Sequence, residues 1–297
     1  MRRSHIYSKR IYYKYVKYLT QTTDVTSEKI KDLDYGRVVL DTTTGSVYIL
    51  GYGIKYQTVD LGLTSGTLWM DRNVGAEEIT DNGLYFAWGE TQGYTADEIG
   101  VSRQFIKSEY KYYDSSSNSY TKYNGSDGDG LTTLEETDDA AFQTTHKFYV
   151  PTIEQCVELF METDVYFIKA DGTEIHGTWT DEQLYVMGGE KPIEDYYRGI
   201  EFRKKSDNSI KLFVPNNGAF IDGKFDGVGF LGSYMTNYMY DINNAWSFMN
   251  EFNICGVIPL VKKCYGYSVR GVVAASTNVS DAVAEVVETI IGRYVMQ

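Results

Sequence analysis

Apolar residues recur with a helical period in two stretches of this chain. Ile153, Cys156, Val157 and Phe160 fall on one helical face, directly after Thr152 and Gln155, whose spacing is that of a capping box with Thr152 as N-cap. Toward the end, Val279, Val283, Val286 and Ile290 follow spacings of four, three and four, so Ser280 to Arg293 reads as an amphipathic helix with Gly292 near its end. Its β-branched seam suits a three-stranded contact or packing onto its own domain, and its length, under three heptads, leans to the second. Strand signals dominate elsewhere. Arg37-Val-Val-Leu-Asp41 and Ser46-Val-Tyr-Ile-Leu50 flank Thr-Thr-Thr-Gly45, the pattern of a hairpin whose turn uses the positive φ open to glycine. A lone hairpin is marginal in water, so it is expected to pair with another strand or another subunit. From Gln57 the chain becomes Gly- and aromatic-rich with few helical periods. Ser108 to Thr145 is a polar insertion rich in Tyr, Ser, Asn and Asp, expected to run as a surface loop because little in it offsets its ordering entropy. The pattern as a whole predicts an α+β fold.

Composition narrows the class. With 297 residues, 42% of them hydrophobic and 15% aromatic, the chain can bury a core. No run of 18 apolar residues occurs, and the N-terminus alternates bases with tyrosines, so neither a membrane span nor a secretion signal is expected. Residues 1–20 carry six bases (Arg2, Arg3, Lys9, Arg10, Lys14 and Lys17) and no acid, which leaves about −19 on the rest of a chain whose net charge is −13. This is a basic arm on an acidic body, and its asymmetry implies docking to something negative. Bases interleaved with Tyr7, Tyr12, Tyr13, Tyr15 and Tyr18 suit nucleic acid, and an acidic protein surface would serve equally. The three cysteines, Cys156, Cys255 and Cys264, form no C-x-x-C pair, which argues against a disulfide scaffold or a zinc finger and for folding in a reducing cytoplasm.

Three separated groups of phrases carry a family resemblance. The first is Val59-Asp-Leu-Gly-Leu-Thr-Ser-Gly-Thr-Leu-Trp69 with Asp71-Arg-Asn-Val-Gly-Ala76 and Tyr85-Phe-Ala-Trp-Gly-Glu90. The second is Leu134-Glu-Glu-Thr-Asp-Asp-Ala-Ala141 with Tyr149-Val-Pro-Thr152. The third is Phe213-Val-Pro-Asn-Asn-Gly218, Gly232-Ser-Tyr234, Ala245-Trp-Ser-Phe248 and Gly266-Tyr-Ser-Val-Arg270. In this order, over residues 57–273, they resemble the Fibrobacter succinogenes major paralogous domain, a module of Bacteroidota and their phages. The resemblance implies a C-type-lectin-like fold, shared with formylglycine-generating enzymes and with variable receptor-binding proteins of some phages. Two departures stand out: Phe142-Gln-Thr-Thr-His-Lys-Phe148 replaces a Trp-rich phrase, and Gly271 stands where proline is usual.

Candidate chemistry is sparse. His5 lies in the arm, and His146 and His176 have no nucleophile elbow or His-Glu-x-x-His around them, so no catalytic residue, metal site or cofactor is expected. Cys156 reads as a buried small hydrophobe. Cys255 and Cys264, nine apart on what should be neighbouring strands, would be the copper ligands if the chain were a formylglycine-generating-type oxidase. Val214-Pro-Asn-Asn217 has only a superficial likeness to a lectin calcium motif, and Asp127-Gly-Asp129-Gly130 lacks the later glutamate of an EF-hand loop. What remains is a binding surface. Tyr234, Asn237, Tyr238, Tyr240, Asn243 and Asn244 use the vocabulary of paratopes, and Tyr112, Tyr113, Tyr120 and Tyr123 extend it. The alternative is ordinary strand tyrosine.

These readings divide the chain into a basic arm (1–20), a β-hairpin anchoring module (21–56), a lectin-like domain (57–273) and a C-terminal helix (274–297). They lead to the expectation of a non-enzymatic virion protein of a tailed phage infecting Bacteroidota, of the crAss-like group: a head or tail fibre or capsid decoration subunit. It would assemble in the host cytoplasm, attach through its N-terminus to capsid or tail proteins, form a homotrimer, and bind a host-surface glycan or protein. An exported bacterial adhesin or carbohydrate-binding module, and the oxidase, are the competing readings.

Overall fold

The structure, a computed structural model, describes residues 56–177, 197–251, 254–273 and 278–295, together with strands at 19–22, 37–41 and 47–50. The chain divides into two compact units, Met1–Tyr56 and Gln57–Gln297. The bases assigned to docking, Arg2, Arg3, Lys9, Arg10, Lys14 and Lys17, lie outside the described residues.

In the first unit, β1 (Leu19–Thr22), β2 (Arg37–Asp41) and β3 (Val47–Leu50) form one sheet in that order. The predicted hairpin is present, antiparallel from Arg37↔Leu50 to Leu40↔Val47. Its third strand comes from the same chain, with β1 parallel to β2.

The second unit is sheet-rich α+β. Its ends are tied together where β4 (Thr58–Val59), β5 (Leu68–Met70), β20 (Val272–Val273) and β9 (Phe148–Tyr149) make a four-stranded sheet in that order. Val272 lies opposite both Trp69 and Tyr149, so the opening and closing segments share one ladder. Gly271 permits this approach, since a Cβ there would stand 2.7 Å from the Phe148 Cβ. A second sheet runs β11 (Glu174–Gly177), β10 (Thr163–Lys169), β12 (Tyr197–Lys204), β13 (Asp207–Pro215), all antiparallel. The largest sheet has the order β15 (Lys224–Val228), β14 (Asn217–Ile221), β16 (Leu231–Met239), β17 (Asn244–Glu251), β18 (Ile254–Lys262). The short β19 (Tyr267–Ser268) joins it at β16 and carries β6 (Tyr85–Phe86).

Three α-helices accompany the sheets among the described residues. α1 (Ala140–Thr145) starts at Asp139, whose carboxylate accepts the Phe142 amide at 2.9 Å and the Val150 amide at 2.9 Å. α2 (Ile153–Glu162) starts at the predicted capping box: the Thr152 hydroxyl accepts the Gln155 backbone amide at 3.2 Å and the Gln155 side-chain oxygen Oε1 accepts the Thr152 backbone amide at 3.0 Å. Its apolar face, with Cys156 buried in it, packs on Phe202 and Phe248 through Phe160. α3 (Asp281–Val295) lays Val283, Val287 and Ile290 into this same core.

The β-branched seam of the last helix faces its own domain, the packing its length favours, and the hairpin finds its partner strand within the chain. Two expectations are corrected. Cys255 and Cys264 do not lie on neighbouring strands. Cys255 lies near the start of β18 and Cys264 in the turn beyond its end, so at about 3.3 Å per residue most of the strand's length, roughly 20 Å, stands between them. Both are buried and neither is in a disulfide, which holds for Cys156 as well. Finally, the insertion is no solvated loop, because Tyr110, Tyr112 and Tyr123 turn inward and supply the apolar area that its composition seemed to lack. No helix among the described residues is long and apolar enough to cross a membrane.

Candidate binding face

The insertion folds around Trp88. The Trp88 ring meets Tyr123 edge-on at 4.9 Å, and Tyr123 meets Tyr112 edge-on at 5.5 Å. Gly89 makes the stacking possible. It holds φ at 78°, and a Cβ there would stand 3.2 Å from the Tyr112 ring. Each buried polar head then needs a partner. The Tyr110 hydroxyl donates to the Trp88 carbonyl at 2.7 Å, and the Trp88 indole donates to the Thr236 carbonyl at 2.8 Å. Tyr123 donates to Asp138 at 2.8 Å and accepts the Glu135 amide at 3.0 Å. Asp138 also takes Lys122 at 2.5 Å and Lys111 at 3.2 Å. Burial pushes this carboxyl up, and the hydrogen bonds from Lys122 and Tyr123 outweigh it, holding Asp138 down at about 2. Its neighbour Asp139 goes the other way, pushed up by burial to about 6.

On this base sits a face made from three chain segments. The first is the hairpin β7 (Tyr113–Asp114) and β8 (Ser119–Tyr120), whose turn is closed by Asp114 accepting the Ser116 amide at 2.9 Å. Hydrogen bonds from Ser116 and Ser117 hold the half-buried Asp114 carboxyl at about 2. The second is the turn after β16, where the Asp241 carboxylate accepts the amides of Asn243 and Asn244, each at 2.7 Å, and the Asn244 side chain at 2.9 Å. The third is the turn after β18, carrying Lys262 and Tyr265. One bond ties the first two: the Tyr120 hydroxyl donates to the Asn243 side-chain oxygen at 3.0 Å. Lys107 lies over both the Tyr113 ring, at 4.5 Å, and the Tyr120 ring, at 5.1 Å. Lys262 lies over Tyr265 at 5.0 Å and donates to its hydroxyl at 3.0 Å.

Beneath the face is a buried amine. Lys263 is 1% exposed, and its ammonium donates to the carbonyls of Tyr123 at 3.1 Å and Ile242 at 3.3 Å. It thereby joins the insertion to the 240–244 turn, beside the Trp88 ring at 5.3 Å. No carboxylate reaches it at ion-pair distance among the described residues, and burial lowers its pKa to about 8, against the milder pull of Asp241 and Asp129.

The residues expected to bind divide. Tyr234 is a core residue: 1% exposed, stacked on Phe248 at 5.4 Å, its hydroxyl donating to the Pro215 carbonyl at 2.6 Å. A side chain so enclosed cannot meet a ligand, and it leaves the set. Asn237 and Tyr238 are half-buried along β16, where the Asn237 backbone bonds to Pro151 and Leu134. Tyr240 is half-buried with its ring edge-on to Trp246 at 5.8 Å. Asn243 is exposed and Asn244 is spent shaping the turn. Of the tyrosines in the insertion, Tyr113 and Tyr120 reach the face, whereas Tyr112 and Tyr123 support it from inside.

Sequence reasoning missed Lys107, Lys262, Lys263 and Tyr265. A lysine beside a tyrosine has no periodic signal, and which of two successive lysines faces inward is set by where β18 ends and its turn begins. The acidic loop is likewise internal: the Asp129 carboxylate accepts the amides of Tyr123, Asn124 and Leu131 at 2.6, 2.9 and 3.0 Å, while the Asp127 side chain lies outside the described residues. Asn216 and Asn217 are buried, the first accepting a bond from Asn250 at 2.7 Å. Among the described residues no cluster of His, Cys, Asp and Glu could hold a metal. Comparison of the chain with protein-family models, with curated proteins and with solved structures gave no match.

Proposed function

We propose that this chain is a non-enzymatic structural protein of a tailed-phage virion, a head or tail fibre or capsid decoration subunit. In this reading residues 1–56, with the basic arm, attach to the particle. The unit from Gln57 onward is a C-type-lectin-like domain that presents the Tyr120 face to a host-surface glycan or protein. The observation that carries the reading is the face itself, where phenols, an amide and two ammonium groups from three distant segments converge on a tightly packed base. Fixed tyrosines supply contact area with little entropy left to lose, which is what a recognition surface needs. The shared ladder of β5 and β20, which joins the ends of the domain, and the division of the chain at residue 56 also support it.

The test is cryo-electron microscopy of purified particles. The account expects density for residues 1–56 against capsid or tail proteins, with the larger unit projecting. Absence of the chain from particles would overturn the virion assignment and favour the exported adhesin.

A further inference from the structure

Resting on that reading, we propose that the Tyr120 face takes an anionic polysaccharide, with sugar rings laid on Tyr113 and Tyr120 and carboxylate or sulfate groups held by Lys107 and Lys262. Charge is the first argument. The chain carries −13 overall, so an anionic polymer is repelled by most of its surface and needs a local cationic site. Lys111, Lys122, Arg103 and Arg203 are each neutralised by carboxylates at 3.2 Å or less. Lys107 and Lys262 are exposed, and among the described residues no carboxylate lies within ion-pair distance of either. The turn after β16 links the two lysines' surroundings, since Tyr120, under Lys107, bonds to Asn243 and Lys262 lies opposite Asn244 across the β17–β18 ladder.

The acids nearby are accounted for. Asp114 is held by the Ser116 and Ser117 hydroxyls, and Asp241 by the amides of Asn243 and Asn244. Asp222 lies beyond ion-pair distance of Lys262 and faces the Tyr265 hydroxyl. Geometry is the second argument. Lys107 lies over two half-buried phenol rings, so an ammonium that swings aside exposes their faces while staying beside them, and Lys262 borders the face on the buried Tyr265. The apolar C–H face of a sugar matches the ring, and an acidic substituent matches the displaced ammonium. Tyr113 and Tyr120 are pinned by their bonds to Asn118 and Asn243, so the platform exists before the ligand arrives.

The test uses the full chain in affinity electrophoresis through gels containing polygalacturonate, dextran sulfate or unmodified dextran. Retardation by a charged polymer and not by dextran is expected, weakening as salt is raised. The paired substitutions Lys107→Gln and Lys262→Gln, and separately Tyr120→Ala, are expected to raise the dissociation constant at least tenfold, with the lysine pair leaving the thermal midpoint unchanged. Carboxylate or sulfate preference is read from the two charged gels. Binding that survives in the double variant belongs to the basic arm and overturns the inference, as does retardation by no polymer. Equal retardation by dextran also overturns it, but leaves a glycan-binding face in place; failure of the virion reading is seen separately, in the particles.

Discussion

Two parts of the larger unit are packed with different chemistry. Around α2 the interior is hydrocarbon: Ile153, Val157, Leu159 and Phe160 meet Phe202, Phe248, Val283 and Ile290. Beneath the Tyr120 face the interior is phenol, indole and charge: Tyr110, Tyr112, Tyr123 and Trp88, with Asp138, Lys263 and the Glu90–Arg103 pair at 2.8 Å. The first part gains from area alone. The second gains only while its polar heads are partnered, since a buried group left unpaired costs about 1–3 kcal/mol. Volume is therefore the weak point of one part, and protonation or hydrogen bonding the weak point of the other.

The contrast is broken most severely on the hydrocarbon side. Phe160→Ala is expected to cost about 3–5 kcal/mol in urea denaturation, because the ring fills the space between Phe202 and Phe248. On the phenolic side, Tyr123→Phe removes one oxygen and no other heavy atom, yet should cost about 1–3 kcal/mol, since Asp138 and the Glu135 amide both lose a partner. A neutral result there would mean that the phenols pack merely as rings. Thr152→Ala should cost about 1 kcal/mol through loss of the cap.

Titration sharpens the contrast further. Asp138 has its folded pKa held below the ordinary carboxylate value, so its contribution is present above about 4 and lost as the pH falls toward about 2. Asp138→Asn should flatten that part of the stability profile. Lys263 has the opposite sign. Its folded pKa of about 8 lies below its ordinary 10.5, so the unfolded chain holds more protons between these values and stability rises with pH across them. The stability of the wild type relative to Lys263→Met should accordingly increase from pH 8 to pH 10; a constant difference would show that the amine stays charged in place.

This difference in chemistry also explains what was legible in the sequence. The hydrocarbon part announces itself: the capping box at Thr152, the face of α2, the hairpin at residues 37–50 and the last helix all follow from periods and caps. The phenolic part has no period. A run of Tyr, Ser, Asn and Asp reads as solvated because polarity is counted per residue, whereas Tyr110 and Tyr123 bury rings whose single hydroxyls find fixed partners. Tyr234 misled for the same reason, its hydroxyl being satisfied inside by Pro215. Lys262 and Lys263 are indistinguishable in sequence, and only the end of β18 at Lys262 and the turn that begins at Lys263 send one outward and the other beside Trp88.

That the insertion is a packed base for the face, and no loop, is the claim on which the rest depends, and amide hydrogen exchange tests it most directly. The amides of Lys111, Thr121 and Tyr123 donate to Glu90, Tyr112 and Asp129 at 2.9, 2.9 and 2.6 Å. They should remain protected alongside those of Val157 to Phe160 in α2. Exchange at the rate of an exposed loop, complete before the α2 amides begin, would contradict the account.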